Sequence, residues 1–338
     1  MRALSKPLAV TVGDPSGVGP DVVIDAWLRR DQDGSAPFYV LCDPATLAAR
    51  AKLLGRDLPL EVVDATRAAA SFSAALPVVP LENVFSGAVG ASDPANSHGI
   101  VEAIDCAVRD VMDGAAAAMV TGPIAKKSLY DSGFAFPGHT EYLAHLAQLH
   151  TGVPVMPVMM LAGPQLRAVP VTIHIRLADI MHALTRELIL ETIVITARDL
   201  EGRFGIPNPR IAVSGLNPHA GENGTMGREE IDTIAPAINE ARSLGIEAFG
   251  PLPADTMFHA EARDTYDAAV CMYHDQALIP AKALAFDSTV NVTLGLPFIR
   301  TSPDHGTAFA LAGTGKARSG AFVAALALAR DLAGQQGQ

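Results

Sequence analysis

Short aliphatic runs that read as buried strands alternate with helical stripes along the whole 338-residue chain. That alternation restricts the chain to an α/β fold with a largely parallel sheet. Leu8-Ala9-Val10-Thr11-Val12 is one such run, broken at once by the glycine-rich stretch Gly13 to Pro20. A helix can start there, since Pro20 suits a first turn and Asp21 favours the positive end of the helix dipole. Ile100, Ile104, Val108 and Val111 share a helical stripe that Gly114 can end, and residues 118–121 form the next buried strand. Thr140 can cap a helix carrying Leu143, Leu146 and Leu149, which Gly152 stops. Ile231, Ile234, Ala235 and Ile238 make another stripe, and residues 321–338 read as a last helix with a frayed tail. There is no internal repeat and no Ser/Gly linker. Any division into two domains must therefore pass through structured crossovers, near residues 125–140 and again near 300.

The core is expected to be aliphatic, since hydrophobic residues are 49% of the chain and aromatic ones only 5%. A net charge of −11 argues against a nucleic-acid or anionic-membrane surface, which needs a basic patch. A small anionic substrate needs only a few local cations and is still allowed. Cys42, Cys106 and Cys271 are odd in number and set in apolar surroundings, as in a reduced cytoplasmic protein. The first residues lack the apolar core of a signal peptide, and the most apolar stretch, residues 153–163, is too short to span a bilayer. A soluble protein is expected.

Three histidines each stand where a strand-like run gives way to a polar loop. His174 closes residues 168–173, His219 follows 211–218, and His274 follows 268–273. If those runs are neighbouring parallel strands, the three imidazoles emerge at the carboxyl edge, where open α/β sheets bind ligands. Three histidines with an open fourth position would make a catalytic divalent-metal site. They are too far apart in sequence to form a local ligand motif, so ordinary packing histidines stay open as the alternative.

Other segments are similarly two-sided. The first glycine-rich loop can cradle a phosphate or simply make a tight turn, and it matches neither G-x-G-x-x-G nor a GK[ST] loop. His139 and Thr140 lie at a helix start that suits an anion, or Thr140 is a plain cap. The stretch 217–224 is dense in turn formers, either shaped around a ligand or a surface turn. Lys282 and Arg300 are cations in apolar surroundings and need a carboxylate or a substrate anion. Residues 304–317 have the density of small residues that lets a ring or phosphate approach the backbone.

These segments, taken in order, resemble the 4-hydroxythreonine-4-phosphate dehydrogenase family of pyridoxal 5′-phosphate biosynthesis. The matching stretches are VTVGDPSGVGP (10–20), VTGPIAK (120–126), FPGHTEYLA (136–144), GLNPHAGENG (215–224), GREEI (227–231), GPLPADTMF (250–258), MYHDQALIP (272–280) and NVTLGLPFIRTSPDHGTAFALAGTGKA (291–317). The resemblance implies two α/β/α domains of the isocitrate and isopropylmalate dehydrogenase type flanking a cleft. The first would comprise residues 1–130 plus 305–338, and the second residues 131–304 with the dimer interface. It implies His174, His219 and His274 as metal ligands, and His139, Thr140, Lys282, Asn291 and Arg300 as substrate residues. His305, Gly306, Thr307 and Gly313 would face the adenine side of NAD or NADP. One divalent metal per site is implied, zinc, cobalt or magnesium. Imidazoles also suit nickel or iron, whereas magnesium prefers oxygen ligands. The site would be shared across a homodimer. Asp255 and Asp275 are candidate general bases.

The implied reaction oxidises 4-phosphooxy-L-threonine to 2-amino-3-oxo-4-phosphooxybutanoate, which loses carbon dioxide to give 3-amino-2-oxopropyl phosphate. The alternative substrates are D-threonate or D-erythronate 4-phosphate. A metal-dependent hydrolase or aldolase would be a different class, without the adenine-side loop. One departure from the family is Arg176, where a proline is common two residues after the first metal histidine. Arg176 either alters that loop or adds a cation near the site.

Overall fold

Among the described residues, the runs of aliphatic residues form twelve strands. They are β1 (Leu8–Thr11), β2 (Phe38–Leu41), β3 (Leu60–Val62), β4 (Leu76–Val79), β5 (Met119–Thr121) and β6 (Val158–Ala162), then β7 (Arg167–Thr172), β8 (Ile211–Ser214), β9 (Ala248–Leu252), β10 (Ala268–Tyr273), β11 (Val290–Leu294) and β12 (Arg300–Pro303). The longer helices are α1 (Gly19–Leu28), α2 (Pro44–Leu53), α3 (Ser97–Met112) and α4 (His139–Thr151), then α5 (Arg186–Gly202), α6 (Ala235–Ser243), α7 (His274–Ala285) and α8 (Gly320–Gln335). The computed structural model describes residues 6–136 and 138–335. The tail expected beyond the last helix falls on residues 336–338, outside the described residues. Among those described, no helix is long and apolar enough to cross a membrane.

The chain makes two compact units, residues 1–157 with 296–338, and residues 158–295. The change-over points lie at 157/158 and 295/296, whereas the residues alone suggest 125–140 and about 300, and the resemblance 130 and 304. Packing of α4 accounts for the first difference. Its Tyr142, Leu143 and Ala147 are buried in the same core as Ile100, Ile104 and Val108 of α3. Full burial of one side chain such as Leu143 contributes about 1.5–3 kcal/mol, enough to anchor the helix there. His139, Thr140 and Arg300 therefore belong to the first unit.

In the first unit the strand order is β3-β4-β2-β1-β5-β12, and every pair is parallel. In the second it is β11-β6-β7-β10-β8-β9. Strands β7, β10, β8 and β9 are parallel neighbours, while β6 runs antiparallel to both β7 and β11. Val270 of β10 is in register with Val169 of β7 and with Val213 of β8. The three runs that precede the histidines are thus adjacent parallel strands, and their carboxyl ends share one edge.

Three local expectations change. Helix α4 starts at His139 with Gly138 as its cap, so Thr140 is already inside the first turn and does not cap. Leu149 is exposed, and the buried face of α4 runs through Tyr142 and Leu143 instead. Ile231 is also exposed while Glu230 is buried, because residues 230–234 form a π-turn that shifts the helical register.

Candidate active site

The carboxyl edge of the second unit carries a small recess of about 190 Å³ lined by Thr172, Ile173, His174, Tyr273, His274 and Asp275, among others. Tyr273 ends β10 in extended backbone, and His274 is the first residue of α7. Its backbone is therefore fixed between a strand and a helix. Asp275 fixes the ring, with Oδ1 2.7 Å from His274 Nδ1. His174 has a φ of 42°, unusual for a residue with a Cβ. This aims its ring at His274, with centroids 5.6 Å apart. At that spacing each imidazole can turn one nitrogen toward a common ion.

His219 does not join them. It follows β8 by five residues, in a turn where residues 219–223 all have positive φ. Among the described residues no three His, Cys, Asp or Glu groups are placed to hold one metal. The donors that do converge fit a divalent cation in kind. Two imidazoles offer nitrogen ligands, and a carboxylate on the far ring nitrogen of His274 is the usual orienting partner of a metal-binding histidine. Two of the three expected ligands are brought together among the described residues.

The remaining candidates of this unit are spread out. Lys282 lies eight residues along α7 from His274, about 12 Å down the axis. Asn291 pairs with Leu161, and Leu161 with Ala168, so Asn291 is level with the start of β7 and not with the end that carries His174. Asp255 is exposed beyond the edge strand β9, away from the lining of the recess. Asp275 is thus the only one of the two candidate bases placed beside the histidine pair. Arg176 donates from Nε and NH2 to the two carboxylate oxygens of Asp179, at 2.8 and 2.9 Å. Its φ of −66° is one that proline also adopts. The loop therefore keeps a proline-compatible shape, and the extra cation is matched by a carboxylate three residues on.

The first unit holds a separate buried polar group. Arg300, at the start of β12, is 5% exposed and donates from Nε and NH2 to Thr121 Oγ1 at 3.1 and 2.7 Å. Its NH2 lies 3.4 Å from His139 Nδ1. Burial pushes the Arg300 guanidinium down to about 10, so it remains a cation at neutral pH. Burial, and then the Arg300 charge, hold the His139 imidazole well below its ordinary value. A neutral His139 that accepts from Arg300 at Nδ1 carries its proton on Nε2. That Nε2 is buried without a partner, an orphan donor that an incoming oxygen would satisfy. Thr140 follows, half-buried in the first turn of α4. Pro137 of this segment lies outside the described residues. Thr121, the residue that receives Arg300, was visible only as part of a strand.

Residues 305–317 lie against the first glycine-rich loop. Val18 N–H donates to Thr307 O at 2.9 Å, and a Cβ on Gly17 would come within 2.7 Å of the same oxygen. Gly313 N–H donates to Asp21 Oδ1 at 2.8 Å, and Asp21 is ion-paired with buried Arg50. The amides of Asp14, Ser16, Gly17 and Val18 all donate to protein acceptors. This loop is a tight turn that supports its neighbour, and these four amides are not free to cradle a phosphate. His305 donates from Nδ1 to Gly306 O, 3.0 Å away, while its Nε2 is buried without a partner. Gly306 is exposed.

The sequence model of the family described as pyridoxal phosphate biosynthetic protein PdxA matches residues 34–329. A relative from Bradyrhizobium diazoefficiens, named 4-hydroxythreonine-4-phosphate dehydrogenase, is 55% identical over 337 residues, covering 97% of each chain. One of the same name from Methylorubrum populi is 52% identical over 98% of this chain and 96% of its own. The crystal structure of 4-hydroxythreonine-4-phosphate dehydrogenase from Klebsiella pneumoniae superposes with a TM-score of 0.86 at 39% identity, over 98% of this chain and 99% of that one.

Proposed function

The chain belongs to the PdxA family of pyridoxal phosphate biosynthetic proteins, and on that premise we propose that it oxidises 4-phosphooxy-L-threonine with NAD. The product is 2-amino-3-oxo-4-phosphooxybutanoate, which releases carbon dioxide to give 3-amino-2-oxopropyl phosphate. The observation that carries this reading is identity above 50% along nearly the whole chain to relatives named for that substrate. The hydrolase and aldolase readings find no support among these relatives, which are named as dehydrogenases.

The chemistry needs three things: loss of the C3 hydroxyl proton, departure of the C3 hydride, and cleavage of a carboxylate from the resulting 3-oxo acid. A divalent cation at His174 and His274 would supply acidification of the hydroxyl and polarisation of the ketone. NAD would supply the hydride acceptor. The residues of the chain do the rest. Asp275 holds the His274 ring in one tautomer and stands close enough to the recess to receive the hydroxyl proton. Arg300 and the Nε2–H of His139 bind an anionic oxygen of the substrate, with Thr140 beside them, while Lys282 and Asn291 are assigned to the substrate by the family resemblance alone. Orienting the substrate so that C3 faces the nicotinamide is their contribution to rate. Residues 305–307 and Gly313 receive the cofactor, with His305 Nε2 as an acceptor available to one of its hydroxyls.

We read the third metal ligand as His219 of the partner subunit, in a homodimer. Exposed Ile175, Leu177 and Met181 follow His174, and exposed Met226 and Ile231 follow the His219 turn. Apolar side chains gathered beside both ligand loops suit a subunit interface.

Steady-state turnover tests the substrate. Purified protein with NAD and 4-phosphooxy-L-threonine should form NADH and an aminoketone phosphate detectable by mass. Faster turnover on D-threonate 4-phosphate would assign the enzyme to the sugar acid instead.

A further inference from the structure

His219 sits in backbone that residues with a Cβ rarely adopt and almost never adopt in succession. From His219 to Asn223 five consecutive φ values lie between 42° and 76°, and only Gly221 among them is glycine. Such a run persists only where its surroundings over-determine it. Two buried side chains at its base do this. Glu230, 3% exposed, accepts from the Leu216 and Asn217 amides at 2.8 and 2.7 Å and from Asn217 Nδ2 at 3.0 Å. Gly221 fits directly against that carboxylate, for a Cβ there would lie 2.5 Å from Glu230 Oε2.

Gln276 closes the other side. Its Oε1 accepts from Ser214 Oγ at 2.8 Å and from the Met272 amide at 2.7 Å, and its Nε2 donates to Gly215 O at 2.8 Å. It thereby ties the end of β8, from which the His219 turn departs, to the end of β10, which carries His274. The π-turn at residues 230–234 is what brings Glu230 inward in place of Ile231. Local departures from α-helix of this kind occur often at functional sites.

We infer that Glu230 and Gln276 are positioning residues that hold the His219 turn in its left-handed form and so present His219 as a metal ligand. The inference rests on the reading of His219 as a ligand. Neither side chain touches the recess that His174 and His274 line, so both act through backbone.

The test is titration of metal-free dimeric protein with Co(II), followed by its visible absorption, together with hydrogen–deuterium exchange. Glu230→Met and Gln276→Met keep side-chain length and remove the hydrogen bonds. Each should weaken Co(II) binding roughly 10- to 100-fold, the usual effect of losing a group that orients a ligand. Exchange should accelerate at residues 215–224 and stay as in wild type elsewhere. Glu230→Gln, whose amide oxygen can still accept from the Leu216 and Asn217 amides, should restore most of the affinity. Unchanged Co(II) affinity with accelerated loop exchange overturns the inference and leaves the metal reading standing. Equal loss in Glu230→Gln and Glu230→Met also overturns it, since charge and not the clasp would then matter. Wild type that takes up no Co(II) overturns both. Should Glu230→Met not fold, Gln276→Met removes no charge and decides the matter alone.

Discussion

Replacing Arg300 by methionine separates a substrate-binding cation from a structural one. The guanidinium is almost fully buried, and its partners include a hydroxyl and a neutral imidazole, Thr121 and His139. Methionine fills much of the same volume and takes away the desolvated charge, so the fold should tolerate it. The loss falls on the ligand. A charge-assisted hydrogen bond to a phosphate or carboxylate is worth about 1.5–3 kcal/mol. At 1.4 kcal/mol per tenfold, substrate affinity should weaken roughly 10- to 150-fold. NAD affinity should hardly change. A second effect follows from the pair. Because Arg300 helps to hold the His139 imidazole below its ordinary value, the variant should let His139 titrate closer to 6.5. Calorimetric titration with 4-phosphooxy-L-threonine and, separately, with NAD reads both affinities, and thermal unfolding reads the fold. Unchanged substrate affinity with a collapse in thermal stability would refute the reasoning and make Arg300 a structural ion-pair partner.

Two further outcomes follow from the same geometry. His139 is neutral when folded and has an ordinary pKa of 6.5 when unfolded. The unfolded chain therefore binds the extra proton below pH 6.5, and stability contributed by this residue is lost as pH falls from there, by at most about 1.4 kcal/mol per pH unit. Urea unfolding of His139→Asn between pH 7.5 and 5.5 should show a shallower decline than wild type, and an identical slope would mean that His139 is protonated in the native state. Arg176→Pro should leave turnover and the substrate KM unchanged, because φ at this position already suits proline and the Arg176 charge is matched by Asp179. A marked rise in KM would instead place the Arg176 cation on the substrate.

What could be read from the chain was whatever depends on neighbours in sequence. The strands ending at His174, His219 and His274 were legible because a buried parallel strand is a continuous aliphatic run, whereas their adjacency was only a condition of that reading, which the pairing of β7, β10 and β8 meets. The density of glycine and asparagine in 217–224 marked a turn of unusual backbone, though not the left-handed run it makes. Burial of Glu230 was hidden because helical periodicity pointed to Ile231, and a π-turn has no such period. Gln276 reads as one polar residue at a helix start. Its three hydrogen bonds go to residues brought near by the pairing of β8 and β10. The docking of α4 on α3 was hidden for a similar reason, since it rests on contacts distant in sequence. Family resemblance pointed to the three histidines together, but only tertiary structure separates the adjacent pair, His174 and His274, from His219.

That separation makes subunit complementation the most direct test of the shared metal centre. If each site takes His174 and His274 from one chain and His219 from the other, His174→Ala mixed with His219→Ala gives heterodimers with one site intact and one doubly damaged. Random reassociation makes half the dimers mixed, so activity should recover to about a quarter of wild type. The same result is expected for His274→Ala with His219→Ala. His174→Ala mixed with His274→Ala should recover nothing, because every site then keeps one defect. Recovery in that third mixture, or none in the first two despite demonstrated subunit exchange, would contradict a site built from the His174–His274 pair of one chain and His219 of its partner.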